Sequence, residues 1–131
     1  MFASLFVLLY VAHLLADYPF QTDHQAAHKA DRCAAGWRAN LAHAGTHVAA
    51  CTVALVVAAV VLGEDAGGWA RVAALVWIGA THAFIDRRWP VRWWMERARQ
   101  AGFAQHGGAA HVDQTAHVLV LVIAALFLAA V

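Results

Sequence analysis

The chain has 131 residues, of which 63% are hydrophobic and 13% charged, with a formal net charge of +1. That is one domain's length and about half the charge of a soluble domain, which averages about 25%. So few polar residues cannot screen so much apolar surface from water, and the composition predicts a membrane protein.

Phe2 to Tyr18 is the first predicted membrane helix, stopped by Pro19. It lacks a basic leading region and a small-residue cleavage site before Asp17, so it reads as a retained helix rather than a signal peptide. Phe20 to Asn40 is a polar connection, with a short surface helix expected near Asp23–Lys29 and a break at Gly36. Leu41 to Leu62 is the second membrane helix. The glycine-rich turn at residues 63–68 leads into the third, from Trp69 to about Asp86. Within the second polar connection, Val91 to Phe103 mixes Trp93, Trp94, Met95 and Phe103 with Arg92, Arg97 and Arg99, the pattern of an interfacial amphipathic helix. Gly107-Gly108 then opens the fourth helix, about 109–131. The predicted fold is all-α: a single-domain, four-helix transmembrane bundle with one short interfacial helix.

Lys29, Arg32, Arg38, Arg87, Arg88, Arg92, Arg97 and Arg99 all fall in the two long connections, leaving only Arg71 on the other side. The positive-inside rule therefore predicts cytoplasmic connections and external termini. Cys33 and Cys51 form no CxxC motif and are expected to stay unpaired.

Each predicted membrane helix carries two ionisable residues four apart: His13 and Asp17, His43 and His47, His82 and Asp86, Asp113 and His117. A step of four returns to within about 40° of the same helix face, so each pair projects as one unit. In an up-and-down bundle, pairs that end helices one and three share a level with pairs that begin helices two and four. Ionisable groups within a bilayer cost several kcal/mol unless compensated, and a cation compensates them directly. Five imidazoles and three carboxylates without a thiolate suit a divalent metal: zinc first, iron or manganese next, with room for two ions. Lys29, Arg87 and Gln114 are the expected catalytic or substrate-orienting residues, Arg87 (with Arg88) holding an anionic group. The expectation is a metal-dependent hydrolase acting on a phosphoester or acyl group of a membrane-associated substrate, with a two-iron oxidoreductase as its chemical variant.

Two non-catalytic readings stand beside it. A metal carrier or sensor would need a second polar layer, and Val53–Leu62, Val72–Ile78 and Val118–Val131 offer none. A structural or interaction protein would use the pairs as hydrogen-bonded contacts between helices. His24, His28, His106 and His111 read as surface residues, and the tryptophan pair as an interfacial anchor. The expected surroundings are the lipid bilayer and anionic lipid. The basic run reads as topology signal rather than nucleic-acid site. Small-residue-rich helices also suit packing between copies of the chain.

The ordered pattern His13-x-x-x-Asp17-Tyr-Pro-Phe-Gln21, Lys29, His43 with His47, His82-x-x-x-Asp86 and Asp113-Gln114-x-x-His117 resembles domain-of-unknown-function family 3307, small bacterial and phage membrane proteins. The resemblance spans essentially the whole chain and implies a four-helix integral membrane protein. It implies no reaction; the metal expectation rests on the donors alone.

Overall fold

The computed structural model describes residues 1–131 and is all-helical: α1 (Phe2–Asp17), α2 (Asp23–His28), α3 (Ala34–Leu62), α4 (Gly68–Ile85), α5 (Trp89–Arg97), the single turn α6 (Ala101–Phe103) and α7 (Ala109–Ala130). Local chemistry sets most boundaries. α1 stops two residues before Pro19. Thr22 and Gln25 form a reciprocal capping box that starts α2. Gly63, at φ 67°, adopts the left-handed conformation that ends α3. Pro90 lies in the first turn of α5.

Two sequence expectations change. α3 begins at Ala34 rather than Leu41, and Gly36 lies in its first turn instead of breaking the chain. The extended Cys33 accepts a bond at Sγ from the Gly36 N–H at 3.4 Å, which caps the helix. A Cβ at position 36 would collide with the backbone carbonyl of Asp31, so glycine is what lets the connection fold back against α3. The helix expected over 91–103 is also interrupted. α5 ends at Arg97, Arg99 takes φ 56°, and the stretch to Gly108 is kinked at His106 and Gly107.

α1 packs against α3 and α7, and α4 packs against the same two helices, so the four long helices close a ring. Alanines line much of the seam (Ala12, Ala54, Ala58, Ala70, Ala74, Ala124 and Ala125 are buried), which lets backbones approach closely. Leu5, Leu9, Leu55, Ile78, Leu121 and Leu128 fill the apolar half of the interior. A second small cluster of Ile85, Val91 and Met95 seats α5 near α7. The two long connections meet at the other end. Arg87 donates to the carbonyls of Lys29 (2.9 Å) and Asp31 (2.7 Å), and Arg88 donates to that of Ala26 (3.1 Å). Three helical stretches, Ala34–Leu62, Gly68–Ile85 and Ala101–Ala130, are long and apolar enough to cross a membrane. α1 is apolar but, at 16 residues, shorter.

Candidate metal centre

Beneath those connections, each long helix delivers histidine to one level of the interior. His13 comes from the last turns of α1, His43 and His47 from α3, His82 from α4 and His117 from α7. All five are at most 2% exposed, and Asp86, which caps α4, is 3% exposed. Ring centroids lie 3.5 Å apart for His47–His82, 4.3 Å for His82–His117 and 5.0 Å for His13–His47. Two positive charges at 3.5 Å repel by about 5 kcal/mol even at an effective dielectric of about 20. Charge neutrality of the layer therefore cannot come from protonating every ring.

Two carboxylates organise these imidazoles. Oδ1 of Asp17 is 3.1 Å from His47 Nε2 and 3.2 Å from His43 Nε2. Its Oδ2 is 3.2 Å from His13 Nε2 and accepts from the Gln114 amide at 3.0 Å. Oδ2 of Asp86 is 3.2 Å from His82 Nε2, 3.5 Å from His43 Nε2 and 3.0 Å from Lys29 Nζ, while Oδ1 lies 4.0 Å from His117 Nε2. Gln21 reaches His43 Nε2 at 2.8 Å. His43 Nε2 thus has three polar neighbours and at most one proton to offer.

The donors gather into two groups that share His82: Asp17, His43, His47 and His82, and His82, Asp86 and His117. Within each, one ligand atom per residue lies within 4.8 Å of every other. A charge-assisted N–H···O hydrogen bond is about 2.7–2.9 Å long. Ligands around a tetrahedral ion with bonds of about 2.1 Å stand about 3.4 Å apart. Of the nitrogen–oxygen separations, those of 3.2 and 3.5 Å fall nearer the second figure, and that of 3.1 Å lies between the two. Hydrogen-bond satisfaction points the same way. His82 Nε2 and His117 Nε2, buried in the second group, have no partner in hydrogen-bonding geometry, while the Asp86 carboxylate beside them is ion-paired with Lys29 at 3.0 Å. Buried polar atoms left so cost about 1–3 kcal/mol each. The donor set fits a divalent cation.

Of the eight expected ligands, Asp113 stands back. Its carboxylate is 3.4 Å from His117 Nδ1, whose ring also meets the Asp113 carbonyl at 3.0 Å, so it orients the ring from behind. His13 belongs to neither group and meets Asp17 and Gln114 instead. Lys29 and Gln114 reach the layer. Arg87 does not. Its guanidinium donates to the two backbone carbonyls and stacks on Trp37 at 4.1 Å. Asn40 was not anticipated. It is fully buried, bonds the Ala83 carbonyl at 3.2 Å and leaves Oδ1 unpartnered. Its spacing from His43 and His47 (three, then four residues) is the helical signal that marks it. His28 pairs with Asp31 on the exposed surface at 2.8 Å, and His106 meets the Gly102 carbonyl.

Residues 5–131 match the family described as a protein of unknown function (DUF3307). No curated protein and no solved structure matches the chain.

Proposed function

We propose that this chain, which belongs to the family DUF3307, is an integral membrane metal-binding protein and a metal-dependent hydrolase. Its four long helices cross the bilayer as one bundle, α1 reaching only the interfaces. The bare outer faces support this: Val53, Val60, Val61, Val72 and Val76 are each more than 60% exposed. The basic connections face the cytoplasm. Asp17, His43, His47, His82, Asp86 and His117 hold one or two divalent ions, zinc before iron or manganese.

The observation that carries this reading is the gathering of His82, Asp86 and His117 at one buried point, with His82 Nε2 and His117 Nε2 outside hydrogen-bonding geometry. A bound ion supplies Lewis acidity and an acidified water. The chain's own groups do the rest. Gln21 and Gln114 fix the rings of His43 and His13. Lys29, 13% exposed at the mouth of the layer, balances Asp86 and presents a cation to an anionic ester. Titration of tag-free protein with zinc against a chromophoric chelator tests the site. One or two equivalents, lost in His82→Ala, are expected, with ester hydrolysis lost in parallel.

One observation favours a second reading, in which the layer only pins the helices together. Asp17 finds His13, His43, His47 and Gln114 within 3.2 Å and so is satisfied by protein alone. On that reading His82→Ala loosens the fold and changes no metal content.

A further inference from the structure

Beside the histidine layer, the end of α4, α5 and the first half of α7 enclose a groove of about 820 Å³, open along its length. Its walls include Phe84, Trp93, Trp94 and Leu119, all about half exposed, and His111 and Thr115 are its only lining residues that are neither aliphatic nor Phe or Trp. The volume lies within the range of about 300–1,000 Å³ that small-molecule sites occupy. Its lining includes Ile85 and Ala116, the chain neighbours of Asp86 and His117. A cation stands beside it: the Arg97 guanidinium sits 4.5 Å over the ring of Trp93, which lines the groove. Tryptophans at this level of a membrane chain stand where headgroups meet acyl chains.

We propose that the groove holds one acyl chain of an anionic membrane phospholipid, with its headgroup at Arg97. This names the substrate class for the metal-dependent reading and rests on that reading only for what happens at the ester. Apolar walls account for the chain and Arg97 for the anionic headgroup.

The test uses the full chain, reconstituted in equimolar phosphatidylglycerol and phosphatidylcholine, then extracted into mild detergent for lipid analysis and zinc determination. Wild type is expected to retain about one phosphatidylglycerol per chain, preferred about fivefold over phosphatidylcholine, in line with one arginine near the headgroup. Thr115→Trp, which fills the groove, loses the lipid and keeps its zinc. Arg97→Gln loses the preference. Leu119→Trp fills the outer end and serves the same purpose where Thr115→Trp does not fold. Equal retention of both lipids, undiminished lipid in both filled variants, or a filled variant that splits a dimer into monomers would each overturn the proposal, the last by making the groove an interface between copies. Lipid retained by a wild type that binds no zinc upholds the groove and removes the metal reading. Zinc bound without selective lipid does the reverse.

Discussion

Replacing Asp86 with Asn keeps the shape of the side chain and removes the charge that Lys29, His82 and His43 face at 3.0, 3.2 and 3.5 Å. Removing one partner of a buried ion pair costs about 3–5 kcal/mol, because the remaining charge stays desolvated. Lys29 is 13% exposed, so water recovers part of that loss and the expected cost in chelator is about 3 kcal/mol. Zinc adds a second difference. A ligand that binds only the folded state at a hundredfold excess over its Kd stabilises it by about 2.7 kcal/mol. Wild type should gain about that much, and Asp86→Asn, lacking an anionic donor, little or none. Thermal unfolding in detergent, followed by tryptophan fluorescence with chelator and with zinc, reads both. Lys29→Met is the control: it frees the Asp86 carboxylate, so it should be destabilised in chelator yet keep the zinc response. An Asp86→Asn protein that matches wild type in chelator, or rises with zinc as wild type does, would refute the reasoning.

Gln114→Ala removes the amide that ties Asp17 to His13, and should weaken zinc binding by about 10–100-fold in a chelator competition while the fold persists. At the opposite end of the bundle, the Ser4 hydroxyl donates to the Glu64 carboxylate at 2.6–2.7 Å and holds its pKa below the ordinary 4.5. A depressed folded-state pKa contributes stability that is present above 4.5 and lost as pH falls through the lowered value, so melting points of wild type and Glu64→Gln should differ at pH 7 and converge in acid. Cys33 is exposed in the first connection and Cys51 is buried within α3. A membrane-impermeant maleimide should therefore label Cys33 alone, and only in inside-out vesicles if the connections are cytoplasmic.

Much of the candidate site was legible because helical periodicity is a local property. Residues four apart share a face whatever the helix packs against, so His13 with Asp17 and His82 with Asp86 announced themselves. Their common depth followed from which end of each apolar run they occupy. What stayed hidden depended on contacts between segments distant in sequence. The start of α3 at Ala34 requires Gly36 to lie against Asp31, and it brings Asn40 into the layer as a helical residue instead of a loop residue. Charge type alone suggested that Arg87 would hold an anion, but the carbonyls of Lys29 and Asp31 claim it. Spacing gave Asp113 the same standing as Asp17, yet it packs outside His117 because its position on α7 falls toward the edge of the bundle. The break at Arg99 left no mark in the hydrophobic pattern, since arginine carries no preference for φ 56°.

The claim that the histidine layer is a metal centre is tested most directly by elemental analysis of the tag-free protein, purified without added metal or chelator, beside His82→Ala and Asp17→Asn. His82 belongs to both donor groups and Asp17 to the first. Near-stoichiometric zinc, iron or manganese in wild type, reduced in Asp17→Asn and lost in His82→Ala, is the predicted result. A folded wild type without metal, still empty after zinc is offered, would contradict it and leave the layer as hydrogen-bonded contacts between helices.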